Sequence, residues 1–363
     1  VFDPCCGTGG MLSIGKEWAH QNINPDLKID LYGQTLLDES YAICKSDMLM
    51  MGESPENIKG PSSSISDDRH EGRKFDYMIT NPPFGVSWKS EQKQILNEST
   101  EYGGRFSVGT PRVSDGSLLF LQHMISKMET QGSRIGVVFN GSPLFTGDSG
   151  SGESEIRKWI IENDWLECIV SLPDSLFFNT GISTYVWIVT NNKSSERKGK
   201  VQLIDGSSFH KSMKKSLGSK RKFIDDNQRQ ELLNLYTNFE EGEHSKIFDN
   251  EYFGYTKITI EQPLLDDRGN IVNDKKGNPK PNSKLRDNER VPLSDNIEGY
   301  FNREVKPHLP NSWINSDKNS VGYEINFTKY FYQNKPLRSS KDISNDLLEL
   351  KKESENLLKL IME

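Results

Sequence analysis

Asp3-Pro4-Cys5-Cys6-Gly7-Thr8-Gly9-Gly10 stands almost at the start of the chain, after the apolar pair Val1-Phe2 and before a helical pattern over residues 11–22. Glycines in such a run let the backbone approach a ligand closely, and the helix that follows offers unsatisfied N–H groups at its first turn. The pattern is not the dinucleotide GxGxxG, because Asp-Pro precedes it and the glycine spacing differs. It is not a P-loop either, since no Gly-Lys-Ser/Thr follows. Taken alone, it also reads as a tight turn between a strand and a helix.

A second stretch removes that plain reading. Asn81-Pro82-Pro83-Phe84 directly follows the strand-like run Phe75–Thr80. Two consecutive prolines abolish two backbone donors and fix φ, which holds the loop rigid. Carbonyl oxygens and the Asn81 amide oxygen remain as converging acceptors. They suit an exocyclic amine, whose N–H groups need acceptors and whose lone pair must be freed for attack. Phe84 supplies a flat face for a planar base. A rigid turn would account for either motif singly; two such loops at strand ends of one sheet point to a site.

The surrounding pattern supplies that sheet. Strands are predicted at Ile29–Gly33, Phe75–Thr80, Ile135–Phe139, Leu166–Leu172 and Thr184–Thr190, with helices over 11–22, 38–51, 115–130 and 153–163. Such alternation defines an α/β fold. The same logic requires a strand before Asp3, of which only Val1 and Phe2 are present, so the chain is expected to be truncated at its N-terminus. Beyond about residue 191 the character changes. Val201–Asp205 reads as one more strand, residues 211–222 are strongly basic, 266–291 form a polar loop or hairpin excursion, and the last segment is helical. In that helix Ile343, Leu347, Leu350, Leu357 and Ile361 follow a 4–3 spacing, with Ser354 in the missing seam position. The expected organisation is a catalytic domain over 1–205, a mixed α/β extension over 206–335 and a docking helix over 336–363.

Composition narrows the function classes. The 363 residues carry 45 Lys and Arg against 52 Asp and Glu, a net charge of −7, which argues against a free-standing, non-specific nucleic-acid binder. A local basic groove remains open, and Lys211, Lys214, Lys215, Lys220, Arg221 and Lys222 are its candidates; the alternative is a solvated charged surface. Cys5, Cys6, Cys44 and Cys168 form no CxxC pair, and the six histidines are scattered, so no metal site is expected. Cys5 and Cys6 read as small packing residues. No apolar run approaches 18 residues and no signal peptide precedes the first motif, so a cytoplasmic protein without membrane association is expected.

DPCCGTGG followed by NPPF resembles the motif order of N6-adenine DNA methyltransferases that use S-adenosylmethionine. Downstream, GVVFNGSPLF (136–145), residues 152–193 with LPDSLFFNTGIST at their centre, FGYTKITIEQPL (253–264) and VGYEINFTKYFY (321–332) are similar to the modification subunit of type I restriction-modification systems. The resemblance implies a Rossmann-like methyltransferase sheet that takes S-adenosylmethionine as cofactor. Asp3, Pro4, Gly7, Thr8 and Gly9 would line the cofactor's methionine end. Asn81 and Pro82 would accept from the adenine N6 amine, Pro83 would keep the loop rigid, and Phe84 would stack on a base flipped out of the DNA duplex. Specificity and restriction subunits would be partners.

Two departures stand out. Thr35 occupies the position where the family usually has a Glu for the ribose hydroxyls, and Asp38 is the nearest carboxylate that could substitute. The loop before Phe75 reads Gly60-Pro61-Ser62-Ser63-Ser64-Ile65-Ser66-Asp67-Asp68 where the family usually reads like GNTLSDD. Asp47, and Trp88 with Lys89, are further candidates near the cofactor and at the DNA-facing rim, against plain readings as a solvated helix residue and ordinary packing. Two other functions share these motifs: a methyltransferase acting on a protein glutamine or on RNA, and a catalytically weak assembly component.

Overall fold

The computed structural model describes residues 1–178, 180–332 and 339–362, with side chains up to residue 355. In chain order the strands are β1 (Phe2–Asp3), β2 (Tyr32–Gln34), β3 (Ile58–Lys59), β4 (Tyr77–Thr80), β5 (Arg134–Phe139), β6 (Leu166–Leu172), β7 (Thr184–Thr190), β8 (Lys200–Asp205), the hairpin β9 (Lys211–Leu217) and β10 (Lys220–Phe223), and β11 (Ser245–Asp249). Nine of them make one sheet in the order β11-β8-β6-β7-β5-β4-β1-β2-β3. Strands β3, β2, β1, β4 and β5 run parallel, and β7 is inserted antiparallel between β5 and β6.

The order reverses at β1. From β1 the chain moves outward to β2 and β3, then returns to lay β4 on the other flank. Loops leaving the carboxyl ends of β1 and β4 therefore diverge, and open α/β sheets bind ligands in the crevice such a switch leaves. Both motifs, residues 3–10 and 81–84, leave those two strand ends.

The apolar residues explain the layers. Helices α1 (Gly10–Asn22) and α2 (Asp38–Met50) enclose a core of Cys6, Leu12, Leu31, Cys44, Met48 and Ile58. On β5, the alternation of Ile135, Val137 and Phe139 puts all three fully inside. Trp187 of β7 meets Phe139 edge-on, ring centroids 5.5 Å apart. The predicted strand at Phe75 begins two residues late, at Tyr77, because Phe75 is drawn toward the 117–126 helix end, its N–H donating to Lys127 O at 3.0 Å. That helix starts at Ser117 rather than 115, because Asp115 closes a turn ahead of it, its Oδ1 accepting from the Ser117 N–H at 3.1 Å and the Ser117 hydroxyl at 2.6 Å.

The main sheet extends past residue 205, since β11 pairs antiparallel with β8. A second sheet follows, with β12 (Gly254–Glu261) flanked by β13 (Asp287–Pro292), β14 (Trp313–Ile314) and β15 (Ser320–Tyr323) around Ile258, Ile260, Val291, Phe301 and Val305. The polar excursion forms a narrow ladder, Leu265 opposite Ile271 and Asn273 opposite Pro279. Its two turns share one design: Asp266 and Asp274 each accept backbone N–H groups two and four residues on.

Val1–Phe327 form one compact unit and Thr328 onward another. In the second, a helix spans Ser340–Met362, with Ile343, Leu347 and Leu350 exposed. The side chains of Leu357 and Ile361, and the expected boundary at 335/336, lie outside the described residues. Among those described, no helix is long and apolar enough to cross a membrane.

Arg157 ties the second sheet to the segment 143–147 that follows β5. It is 1% exposed and, among the described residues, forms no ion pair. Its guanidinium donates to Tyr323 O at 2.7 Å, Pro143 O at 3.1 Å, Thr146 O at 2.7 Å and Gly147 O at 3.2 Å. Arg157→Met would leave buried carbonyls without donors, and urea unfolding should show a loss of roughly 3 kcal/mol or more. A loss under about 1 kcal/mol, the worth of one ordinary hydrogen bond, would contradict this role.

Candidate active site

Asp3 ends β1 at 2% exposure. Its Oδ1 accepts from Thr80 Oγ1 at 2.6 Å and from the Cys5 N–H at 3.0 Å. Thr80 is the last residue of β4, immediately before Asn81, so this buried bond ties the two motif loops together at the switch point. Cys5 adds to the junction, its Sγ lying 3.3 Å from Thr80 Oγ1 and 3.6 Å from Asn81 O. Cys5 therefore does more than the packing expected of it. Cys6 is core, with its backbone N–H on Gln34 O at 2.9 Å.

The glycine loop is shaped by positive φ at Gly7 (53°) and Gly9 (87°). Gly9 is also closely approached, since a Cβ there would sit 2.8 Å from Cys44 Sγ. It begins α1 without a side-chain cap, leaving the first-turn N–H groups available. Gly7 and Gly10 face open space, and Thr8 is exposed while Pro4 is buried.

The next strand end carries Thr35, which is buried, with its N–H on Lys59 O at 3.1 Å. Asp38, the first residue of α2, is exposed. Because β2 pairs parallel with β1, placing Asp3 opposite Gly33, the 35–38 segment leaves the same sheet edge as the glycine loop. Sequence reasoning missed Gln34. Fully buried, it donates Nε2 to Asp67 O at 2.7 Å and Ser62 Oγ at 3.0 Å, and accepts from the Arg69 N–H at 3.1 Å. It thus pins the 60–69 loop whose sequence departs from the family pattern. Nothing in the sequence around Gln34 signals that role, because its partners lie 28 to 35 residues on.

Asn81, Pro82, Pro83 and Phe84 line a cleft of about 620 Å³ together with Asn140, Phe177, Phe178, Thr180 and Ile182. Pro82 is buried, whereas Asn81 and Pro83 are exposed. Asn140 follows β5, and the other added residues come from the β6–β7 connection, LPDSLFFNTGIST. None was predicted as a site residue. Phe178 and Ile182 are 56% and 49% exposed, an apolar lining left open where a planar ligand would contact it.

The remaining candidates resolve into ordinary roles. Asp47 sits near the far end of α2, about 14 Å along the axis from Asp38, as a partly exposed helix residue. Trp88 is core, packed with Ile65, Ile95, Phe106 and Leu119 and donating to Arg112 O at 3.0 Å. Lys89 is exposed. Among the described residues, no group of three or more His, Cys, Asp or Glu side chains is placed to hold a metal ion.

A largely parallel sheet with a switch point, a glycine loop on one flank and an Asn-Pro-Pro-Phe loop on the other is the α/β fold of the Rossmann-like methyltransferase class. A methyltransferase subunit of a type I restriction-modification system from Streptococcus thermophilus shares the fold, with a TM-score of 0.58 at 23% identity over 69% of this chain and 51% of that one. Residues 1–256 match the N-6 DNA Methylase family model, and the chain belongs to that family. Among curated relatives, the HindI methylase subunit of Haemophilus influenzae is 33% identical over 208 residues, 56% of this chain and 44% of that protein. The MjaIX methylase subunit of Methanocaldococcus jannaschii is 28% identical over 265 residues, 72% and 45% respectively. The chain thus spans about half the length of these relatives.

Burial pushes the Asp3 carboxyl up to about 7, against the lowering effect of the bonds from Thr80 and Cys5. The folded value exceeds the unfolded one, so the native state keeps this proton as pH rises from about 4 toward 7 while the unfolded state releases it. Stability should fall across that window by an amount on the order of a few kcal/mol. Asp3→Asn removes the titration. In thermal melts of the ligand-free protein, the variant should gain on the parent between about pH 4 and about 7 and level off above that; a pH-independent difference would contradict the assignment.

Proposed function

We propose that this chain is the catalytic modification subunit of a type I restriction-modification complex and transfers a methyl group from S-adenosylmethionine to N6 of adenine in DNA. The observation that carries this reading is the Thr80–Asp3 bond, which sets Asn81 beside the glycine loop while Asn81 also lines the aromatic cleft.

The residues present fit the cofactor. Gly7 and Gly10 leave a cradle that side chains would fill, α1 presents free N–H groups, and the buried Asp3 carboxyl is an acceptor that an ammonium group would favour in its ionised form. Asp3, Pro4, Gly7, Thr8 and Gly9 would hold the methionine end, with Thr35 and Asp38 toward the ribose. Bound S-adenosylmethionine supplies an electrophilic sulfonium methyl. The chain's own residues prepare the acceptor. Asn81 Oδ1 and Pro82 O accept the two N6 hydrogens, which favours the pyramidal, positively charging amine over the ring-conjugated one. Pro83 holds those oxygens in place, and Phe84 and Phe178 provide faces for the extruded base. The proton then leaves N6 to solvent, so no His or Glu beside Asn81 is required.

The reading extends to partners. Sequence recognition would reside in a specificity subunit and cleavage in a restriction subunit, with residues 1–205 as the catalytic domain, 206–335 as an extension that lends β11 to its sheet, and 336–363 as a docking helix. The complex would act in the cytoplasm. Asn81→Ala in the assembled complex should lower methyl transfer by roughly a hundredfold or more, while calorimetry finds S-adenosylmethionine binding nearly unchanged. Lost binding, or retained transfer, would remove Asn81 from the role assigned to it.

A further inference from the structure

The basic stretch 211–222 is not a loose surface run. It folds as the β9–β10 hairpin around Gly218-Ser219, with Leu217 opposite Lys220 and Ser212 opposite Lys222, so residues 213–216 bulge out against Arg221 alone. The hairpin is fastened to the wall of the Asn81 cleft. Ser219 N–H donates to Phe178 O at 3.0 Å, and the Arg221 and Lys222 N–H groups donate to Ser175 O at 2.9 and 3.2 Å. Lys220 Nζ lies 4.7 Å from the Phe178 ring centroid, and Lys222 pairs with Asp174. Lys211 pairs with Asp225 at 2.6 Å. Lys214, Lys215 and Arg221 are exposed and, among the described residues, have no ion pair.

We propose that this hairpin is a phosphate-binding arm: Lys214, Lys215 and Arg221 hold the DNA backbone next to the extruded adenine, and the same hairpin, through Ser175 and Phe178, holds the aromatic wall that receives the base. The inference rests on the DNA methyltransferase reading and deepens it. A chain of net charge −7 repels a polyanion at long range, so a catalytic cleft that admits DNA needs local cations at its mouth. Three unpaired cations on an element bonded to the cleft wall meet that need. Phosphate contacts position the strand without reading its sequence, in keeping with recognition by another subunit.

The test uses the assembled modification complex and a fluorescent mixed-sequence single strand of DNA, with anisotropy read over a range of KCl concentrations. K214A/K215A/R221A should weaken binding and reduce the slope of log affinity against log salt by about 2, at roughly 0.7 per phosphate contact on a single strand. K275A/K276A/K280A, with the same charge change on the 263–281 excursion, should keep the parental slope. A parental slope in the first variant, or an equal loss in the second, overturns the arm. Adenine methylation by the parent complex, assayed alongside, separates the causes: if it persists in those cases, only the arm falls; if the parent neither binds DNA nor methylates adenine, the function falls with it.

Discussion

One buried hydrogen bond, from Thr80 Oγ1 to Asp3 Oδ1 at 2.6 Å, organises the site. It spans the switch point of the sheet, where neighbouring strands carry their loops apart and leave a crevice. Burying a carboxylate is costly, and the rise in the Asp3 pKa records that cost. Such a group persists where its position matters more than its stability. Here it holds the glycine loop after β1 in register with the Asn-Pro-Pro-Phe loop after β4, and the Cys5 thiol bridges the same two loops. Displacing either strand end would separate the glycine loop from the Asn-Pro-Pro-Phe loop.

From that junction the site spreads along one sheet edge. Strand β2 contributes Thr35, with Gln34 anchoring the adjoining loop. Strand β5 contributes Asn140, and the β6–β7 connection contributes Phe177 and Phe178. Each takes its place from its strand's position in the order β6-β7-β5-β4-β1-β2. Neighbouring strands are only about 4.8 Å apart, so loops widely separated in sequence leave the same edge of the sheet close to one another. The β9–β10 hairpin then adds positive charge at its rim, although the chain as a whole is acidic.

Much of this was legible in the sequence. DPCCGTGG and NPPF are short local motifs whose backbone demands, positive φ and fixed φ, can be read residue by residue. Strands β6 and β7 fall where the apolar runs predict them, because buried strands need continuous hydrophobic sequence. What stayed hidden depends on long-range placement. Nothing local about Gln34 shows that it reaches Asp67, thirty-three residues on. LPDSLFFNTGIST was recognisable as a family signature, yet only the topology carries its phenylalanines to the Asn81 cleft. The basic stretch was visible as charge, but its attachment to Phe178 is a tertiary fact. Nor does a polar sequence after residue 205 announce that β11 will return to the main sheet.

The most direct measurement is the identity of the methylated product. DNA incubated with the assembled complex and isotopically labelled S-adenosylmethionine, digested to nucleosides and analysed by mass spectrometry, should carry the label in N6-methyldeoxyadenosine. Label recovered instead in protein, RNA or a cytosine derivative, with none in N6-methyldeoxyadenosine, would contradict the account.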